Sequence, residues 1–421
     1  MASYRKQSLT RRELPLSAVW HYAYVAESAD LVVVGLGAVG SAALYQAAKQ
    51  GARVIGIDRF TPPHDQGSSH GETRITRQAI GEGRAFVPLV LRSNEIWREL
   101  EAATGRSLMT RNGGLILATP GVKGSHHGSS TFLQDTIDAA VSVGISHEVL
   151  TAGEISRRFP QFQLTAAEQG YFEPGAGFLR PELCVQTQLE QAAADGGIVR
   201  NAEVVLTIEA SHREVAVTTD KNTYRAAKVI LTAGPWISRF LPKRYAAHFQ
   251  VYRQTLCWFD LASNAERYSP DRFPIFIWIT GTCVQDMLYG FPAVDGPNSG
   301  IKVATETYES TVDPDAVPRD VSDAFVAGMH ANYIAPRLPD VSDRCLRTAT
   351  CLYTVTPDGK FVIDYADENH NVVFASACSG HGFKHSPAVG EALVQRALGL
   401  PTSIDLSGFA LQRLAGGEQA T

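Results

Sequence analysis

The sequence predicts an α/β fold that contains a Rossmann-type dinucleotide-binding domain, and three observations support this prediction. The first is an apolar run at residues 32–34, the second is the glycine pattern that follows it, and the third is an acid at the end of a second apolar run. Together they form DLVVVGLGAVGSAALYQAAKQGARVIGID at residues 30–58, in the order strand, glycine turn, helix, strand. With 421 residues the chain exceeds the usual size of a single core, so a second domain is expected.

The first strand is predicted at Val32–Val34, because a run of β-branched residues is typical of a parallel strand that is buried on both faces. This strand leads into the pattern G-x-G-x-x-G, formed by Gly35, Gly37 and Gly40. In such a motif the first glycine permits a tight turn, the second lets the backbone approach a pyrophosphate, and the third lets the helix pack closely on the strand. The pattern therefore predicts a bound dinucleotide.

The helix of this unit is predicted at about residues 41–50, with its N-terminus facing the pyrophosphate, where amide donors and the helix dipole favour negative charge. Gly51 ends the helix, and residues 53–58 form the second strand. That strand ends in Asp58, at a distance suited to hydrogen bonds with ribose hydroxyls. The glycines alone leave both NAD and FAD open as the ligand.

The overall composition argues against several other functions. Hydrophobic residues make up 44% and charged residues 19% of the chain, as in a soluble globular protein. The net charge of -5 argues against a nucleic-acid or anionic-membrane partner, and no apolar run approaches the ~20 residues of a membrane span. The six cysteines show no C-x-x-C pair and no metal-like spacing, so we expect reduced thiols in a cytoplasmic protein without a metal site.

Residues 1–29 are predicted to be an N-terminal extension. The stretch SLTRRELPLSAVW contains adjacent arginines, which loosely resemble a twin-arginine export signal. Its apolar part is interrupted by Pro15, His21 and Glu27, and no small-residue cleavage site follows. A dispensable or surface-docked extension is the favoured interpretation.

A polar stretch at residues 67–83, GSSHGETRITRQAIGEG, distinguishes the two cofactors. Taken alone, it is typical of a solvated loop with two ordinary arginines. It closely resembles, however, the GS-[HS]-HG-[DE]-TR-x-x-R segment of the monomeric sarcosine oxidase and N-methyltryptophan oxidase family. The members of this family are FAD-dependent amine oxidases of the D-amino-acid-oxidase-like superfamily. The resemblance extends over about residues 30–413, and further family-like segments follow in order: EPGAGFLRPEL (173–183), VILTAGPWISRFL (229–241), YGFP (289–292), CLYTVTPDGKFVID (351–364) and SGHGFKHSPAVGE (379–391).

The resemblance implies a mixed α/β fold of two interleaved domains. One is a Rossmann-type FAD-binding domain, expected at residues 30–115, 175–248 and 340–421. The other is a substrate domain built on a large, mostly antiparallel sheet, expected at residues 116–174 and 249–339. No Pro-, Ser- or Gly-rich linker divides the chain in two, which fits interleaved domains.

The resemblance assigns the flavin attachment to Cys351. By composition alone, a cysteine beside Leu352 and Tyr353 is more typical of a small buried hydrophobic residue. In the family, the cysteine that opens C-x-Y-[TD]-x-[TS]-P-D is bonded through sulfur to the 8α carbon of the flavin, and CLYTVTPD matches that pattern. A thiolate is a suitable nucleophile for the electron-poor oxidised flavin.

Four cations are assigned to the reaction by the same resemblance. Arg74 and Arg77 are three residues apart and would share a face on a helical turn. The resemblance places Arg74 beside the flavin in a catalytic role, and Arg77 at the substrate carboxylate, which a guanidinium can bind in a bidentate manner. Lys384 is implied as the second cation for this carboxylate. Lys302 is implied above the flavin face, where its charge promotes the reaction of reduced flavin with oxygen.

Two further positions concern the substrate. Family members have a histidine four residues after the lysine that corresponds to Lys302, whereas this chain has Glu306. A carboxylate there would attract a cationic amine or raise the pKa of that amine, unless the side chain points elsewhere from its strand. Tyr289 is a substrate-side candidate, although an aromatic residue in an apolar strand is more often part of a core.

The positions expected to contact FAD come from these motifs and from the strand at NAEVV. They are Gly35, Gly37, Val39, Gly40, Asp58, Arg59, Ser68, Ser69, His70, Thr73, Arg74, Val204, Ala233, Gly234, Trp236, Cys351, Gly380, His381, Gly382, Phe383 and Lys384.

The implied function is that of an FAD-dependent oxidase of secondary amines, with N-methyl amino acids as the favoured substrates. Hydride passes to FAD, oxygen reoxidises the flavin to give hydrogen peroxide, and the imine is hydrolysed to formaldehyde and the demethylated amino acid. The expected partners are an amino-acid-like amine and oxygen, and the expected state is a monomer with no nucleic-acid or membrane partner.

Other functions remain open at this point. A fructosyl amino acid or pipecolate is a possible substrate within the same superfamily, and the aromatics of RQTLCWFD and Trp278 slightly favour a larger substrate. An NAD-dependent dehydrogenase explains the glycine motif but leaves Cys351 and SGHGFK without a purpose. A flavin-binding carrier without turnover is disfavoured by Lys302 and Lys384.

Overall fold

A computed structural model describes residues 27–121, 130–283 and 286–418 of the chain. The predicted N-terminal extension lies outside the described residues as far as residue 26. The first strand starts at Glu27, three residues before the predicted boundary.

The described residues form strands that are interspersed with helices along the chain. The strands are β1 (Glu27–Val34), β2 (Val54–Ile57), β3 (Arg74–Thr76), β4 (Met109–Thr110), β5 (Gly114–Ala118), β6 (Glu148–Thr151), β7 (Gln169–Glu173), β8 (Gly177–Leu179), β9 (Ile198–Arg200), β10 (Val205–Ala210), β11 (Val215–Thr219), β12 (Thr223–Leu231), β13 (Gln250–Leu261), β14 (Ile275–Ile279), β15 (Met287–Phe291), β16 (Ile301–Ala304), β17 (Val341–Val355), β18 (Val362–Tyr365) and β19 (Val372–Ser376). The helices are α1 (Ala38–Lys49), α2 (Val87–Thr104), α3 (Phe132–Val143), α4 (Ala152–Arg158), α5 (Pro181–Ala194), α6 (Lys243–Ala246), α7 (Asp323–Met329) and α8 (Ser386–Ala397).

The first sheet has the order β10-β11-β12-β1-β2-β9, and β19 pairs with both β12 and β18. The strands β2, β1, β12 and β19 run parallel to one another. The glycine motif follows directly from β1, so it lies at the carboxyl edge of the parallel strands, where ligands of open α/β sheets bind. This arrangement confirms the predicted Rossmann-type unit.

One face of this sheet is covered by helices. The helix α1 packs between α5 and α8, and α2 packs against α8. The apolar side chains of these helices form a core with Leu31, Val33 and Ile230 from the parallel strands. The observed α1 begins three residues earlier than predicted, because helical geometry starts directly after Gly37.

The second sheet has the order β17-β13-β16-β15-β14-β5-β7-β6. Its neighbouring strands are antiparallel except for β14 and β5. This matches the predicted large, mostly antiparallel sheet. The domain boundaries stay a prediction, and β17, which belongs to the segment 340–421, is hydrogen-bonded to β13 in this second sheet.

The prediction of a shared helical face for Arg74 and Arg77 is wrong. Arg74 is the first residue of β3, which pairs with β8 in a small sheet of three strands. Pairing with a strand more than a hundred residues later overrides the local spacing, so Arg74 lies in an extended strand and Arg77 follows directly after its end.

Among the described residues, the structure has no helix that is both long enough and apolar enough to cross a bilayer.

Candidate active site

A large cavity lies between the carboxyl edge of the first sheet and one face of the second. The space between protein atoms in the cavity and its mouth, open solvent included, is about 2030 Å³. Its wall contains every predicted site residue except Gly40 and His70. The scattered motifs of the sequence are therefore brought together around one space.

The two exceptions lie behind this wall. A Cβ added at Gly40 would be 1.7 Å from the carbonyl oxygen of Gly35, so glycine is needed there for the helix to pack on the turn. His70 is buried, and burial together with the charge of Arg74 lowers its pKa to about 4. Its ring is therefore neutral near pH 7.

Asp58 fixes the glycine turn at one end of the cavity. Its Oδ2 accepts a hydrogen bond of 2.8 Å from the backbone N–H of Leu36, and its Oδ1 accepts one of 2.8 Å from that of Phe60. A carboxylate has about four acceptor positions, so further positions are left for ribose hydroxyls. Ser69 supports the same turn, since its Oγ accepts a hydrogen bond of 3.1 Å from the N–H of Ala38.

Arg59 and Trp236 form the rim at this end. The Arg59 guanidinium lies 5.0 Å from the centre of the Trp236 ring. Asp315, from the segment after β16, accepts hydrogen bonds from Trp236 Nε1 at 2.7 Å and from Arg59 at 2.8 Å. Asp315 thus holds the segment that follows β16, a strand of the second sheet, against the end of the cavity where the glycine motif lies.

Cys351 and Arg74 lie side by side deeper in the cavity. Cys351 is a residue of β17 and is buried, and its Sγ is 3.5 Å from an Arg74 guanidinium nitrogen. The same guanidinium donates hydrogen bonds of 2.8 Å to the carbonyl oxygens of Ser68 and Thr73. The backbone of residues 67–77, which include β3 and are called the 67–77 loop below, thereby holds the cation beside the sulfur.

Lys302 lies on β16 and is 1% exposed. Its Nζ donates to the carbonyl oxygens of Gly71 at 2.8 Å and Thr73 at 2.7 Å, and it lies 4.1 Å from the centre of the Phe291 ring. Burial, and then the charge of Arg74, lower the pKa of Lys302 well below its ordinary value. The two carbonyl groups hold the amine against the loop that carries Arg74.

Arg77 and Lys384 converge on Glu82 in another part of the wall. The Arg77 guanidinium donates two hydrogen bonds to Glu82, of 2.7 and 2.6 Å, and a third to the carbonyl of Ala79. Lys384 Nζ donates to the His381 carbonyl at 2.8 Å and lies 4.0 Å from Glu82. Burial lowers the pKa of Lys384 to about 7, against the opposing effect of Glu82.

Glu306 lies in the wall among three tyrosines. It is 3% exposed, and its Oε2 accepts a hydrogen bond of 2.7 Å from Tyr308 Oη. The hydroxyls of Tyr289 and Tyr353 are 3.5 Å apart in the same region. Burial raises the pKa of each of these three tyrosines, and the charge of Glu306 adds to that rise.

Residues 30–396 match the family described as FAD dependent oxidoreductase. The chain belongs to this family. The match includes the glycine motif, the 67–77 loop, Cys351 and Lys384.

The oxidoreductase is similar to curated proteins over most of its length. It is 37% identical to a monomeric sarcosine oxidase from Streptomyces avermitilis, over 92% of this chain and 98% of that protein. It is 36% identical to an N-methyl-L-tryptophan oxidase from Yersinia pestis, over 91% of this chain and 99% of the other. Among solved structures, NikD, an amino acid oxidase essential for nikkomycin biosynthesis, matches with a TM-score of 0.77 and 24% identity, over 91% of this chain and 98% of that one. The likeness to NikD shows the fold alone.

The cavity of this oxidoreductase fits FAD in its polar lining. Gly35 has φ +87°, and a Cβ there would lie 2.6 Å from the carbonyl oxygen of Thr232, so the turn at the dinucleotide end needs glycine. Thr73 Oγ1 is buried in the wall and has no hydrogen-bond partner among residues 27–121, 130–283 and 286–418. A buried hydroxyl of this kind is usually satisfied, so it is available to a cofactor atom.

Two aromatic residues expected beside the substrate lie elsewhere. Trp258 and Trp278 are each 1% exposed and are not part of the cavity wall. The indole of Trp258 donates to Glu72, and that of Trp278 donates to Glu168. The suggestion that these rings stack on a larger substrate is therefore wrong, because the register of β13 and β14 turns both rings into the protein.

The sequence did not predict Glu82 and Tyr353 of the cavity wall, or Tyr308, which is not part of that wall. Glu82 lies within the quoted 67–83 stretch, five residues after Arg77, so a carboxylate close to a predicted cation was a usable signal. Tyr353 lies two residues after Cys351 on the same strand, and residues two apart share a strand face. Tyr308 is joined to the site through Glu306, which no sequence signal indicated.

Proposed function

We propose that this oxidoreductase is an oxidase of secondary amines, with N-methyl amino acids as substrates and oxygen as the electron acceptor. The observation that carries this proposal is one cavity with two kinds of charge. Cations for a carboxylate, Arg77 and Lys384, and the carboxylate of Glu306 share a wall with Cys351 and Lys302. Relatives that are 36–37% identical have names that fit such chemistry.

The substrate carboxylate is bound by Lys384 and Arg77. Among the described residues, Lys384 Nζ donates one hydrogen bond, to the carbonyl oxygen of His381. Its remaining N–H groups are available to an anion. Arg77 Nε is buried with no hydrogen-bond partner among the described residues, and it offers a further donor. Glu82 already holds the other end of this guanidinium, so it orients Arg77 toward the ligand.

Bound FAD supplies the acceptor for the hydride and, once reduced, the reductant for oxygen. Lys302 acts on the oxygen step, because a cation in a buried site stabilises negative charge that develops on oxygen. The products are hydrogen peroxide and an imine, which water converts to formaldehyde and the demethylated amino acid.

We also propose that the flavin is attached through Cys351. Cys351 is buried in the cavity wall, and Arg74 lies 3.5 Å from its sulfur. The monomeric state and the cytoplasmic location remain predictions of the sequence.

An anaerobic reduction experiment tests the proposed function. The purified protein would be mixed without oxygen with sarcosine, N-methyltryptophan, pipecolate, fructosyl-valine or a simple polyamine, while the visible flavin absorbance is recorded. We expect an N-methyl amino acid to bleach the flavin and air to restore the colour with formation of peroxide. A yellow protein that only fructosyl-valine or pipecolate bleaches would replace the proposed substrate class, and one that none of them bleaches would refute it.

A further inference from the structure

We infer that Glu306 binds the ammonium group of the substrate and takes its proton before hydride transfer. This inference rests on the proposed function, because it concerns the amine that the enzyme oxidises. It assigns a catalytic and specificity-determining role to a carboxylate, at the position where the family resemblance led us to expect a histidine.

The position of Glu306 supports this role. The carboxylate is 3% exposed and lies in the wall of the same cavity as Lys384 and Cys351. Tyr308 Oη donates to Oε2 at 2.7 Å, which fixes the side chain. A carboxylate in the wall of a ligand space is suited to a cationic ligand, because opposite charges attract more strongly in a buried site than in water.

The charges around Glu306 define what it can bind. Tyr308 lies on its own segment, Tyr289 faces it from β15, Tyr353 from β17, and Lys384 from the turn after β19. The tyrosines are neutral near pH 7, since burial holds their pKa above the ordinary value. A ligand with a carboxylate at Lys384 and an ammonium at Glu306 therefore meets opposite charge at both ends.

The proton step follows from the chemistry of amine oxidation. The N–H bond of the bound ammonium breaks and its proton moves to a Glu306 oxygen, which leaves a lone pair on nitrogen. That lone pair forms the C=N bond as the carbon releases hydride, with two electrons, to FAD. Burial disfavours both the ammonium and the carboxylate, so proton transfer replaces two buried charges by two neutral groups. Tyr308 acts as a positioning residue, because it orients the carboxylate without touching the amine.

The binding part of the inference can be tested without turnover. Trimethylammonioacetate and 3,3-dimethylbutanoate have the same shape and a carboxylate, but only the first has a fixed positive charge. Calorimetric titration of the flavin-loaded protein is expected to show at least a tenfold preference for the cationic ligand, and Glu306→Gln is expected to abolish it. Glu309→Gln is the matched control, since Glu309 is exposed on the same segment and is not part of the cavity wall. Equal affinities for the two ligands in the wild type would overturn the inference.

The proton-acceptor part is tested by the pH dependence of anaerobic flavin reduction. An aliphatic ammonium has a pKa of about 10, so only ~1% of a secondary amine is neutral at pH 8. Glu306→Gln can use only that neutral fraction, and its kred/Kd is expected to fall ~100-fold at pH 8 and recover tenfold per pH unit up to about pH 10. Glu306→Asp is expected to restore part of the rate at pH 8, and Tyr308→Phe to slow reduction without this pH shift.

The outcomes separate the inference from the proposed function. A wild type that no N-methyl amino acid reduces at any pH would refute the proposed function itself. If the wild type is reduced and Glu306→Gln shows the same pH dependence of kred/Kd as the wild type, only the role of Glu306 is refuted. Flavin content and thermal unfolding temperature, compared with those of Glu309→Gln, show whether a loss of rate reflects a loss of folding.

Discussion

The buried Lys384 offers a direct test of how the cavity binds carboxylates. Burial lowers the pKa of this amine to about 7, and the group is 4% exposed. Its charge is therefore fully present about one pH unit below 7 and largely lost one unit above. A carboxylate bound by this charge should consequently bind best at low pH.

The size of the pH effect on carboxylate affinity follows from the titration of this one amine with a pKa of about 7. If only the charged amine binds the anion, the apparent Kd at pH 6, 7 and 8 is roughly 1.1, 2 and 11 times its low-pH limit. The affinity of a simple carboxylate should thus fall about tenfold from pH 6 to pH 8, which corresponds to ~1.4 kcal/mol. Glu82, Arg77 and Glu306 face the same amine, so a variant of Lys384 is needed to assign the slope.

The assay is a titration of the flavin-loaded protein with propionate at constant ionic strength, followed by the visible flavin spectrum. Lys384→Met is expected to bind propionate at least tenfold more weakly at pH 6 and without the pH slope. Lys384→Arg keeps its charge throughout this range, so it is expected to bind with a Kd that stays constant from pH 6 to pH 8. A pH slope that persists in Lys384→Met would show that another group titrates, and would refute the reasoning.

Three further predictions concern the cofactor and the fold. Cys351→Ala should release its flavin on acid denaturation, whereas the wild type should retain flavin fluorescence in a denaturing gel. A wild-type band without fluorescence would contradict the attachment. Lys302→Met should slow reoxidation of the reduced protein by about 10²–10³-fold, with little change in the anaerobic reduction rate, as measured by mixing reduced protein with oxygen. Gly40→Ala would place a Cβ 1.7 Å from Gly35 O, and should lower the free energy of unfolding by about 1–3 kcal/mol or more; an unchanged denaturant midpoint would contradict this reading of the turn.

The parts of the site that the sequence predicted depend on local patterns. The run from Val32 to Asp58 specifies strand, turn and helix within one continuous segment, and the structure reproduces each within a few residues. The motif residues of later segments meet because β1, β12 and β19 are parallel, so the residues that follow them gather at one edge.

The parts that the sequence could not predict depend on pairing between distant segments. Arg74 is extended because β3 pairs with β8, and the spacing of two arginines contains no information about that pairing. Trp258 and Trp278 are turned inward because each pairs with a carboxylate far away in the chain, at Glu72 and Glu168. The side of a strand that faces a cavity is set by register with its neighbours, and a shift of one residue reverses it.

The way in which the buried cations are satisfied explains how they remain useful for chemistry. Lys302 and Arg74 donate to carbonyl oxygens of the 67–77 loop. Carbonyl groups satisfy the N–H donors of a buried cation but do not neutralise its charge, whereas a carboxylate does both. Arg77, which is paired with Glu82, has a partner of the second kind, so it offers a substrate carboxylate the N–H of its buried Nε and not an unopposed charge. The loop therefore keeps the charge of Arg74 and the amine of Lys302 available beside Cys351, where negative charge is expected to develop on sulfur, flavin or oxygen.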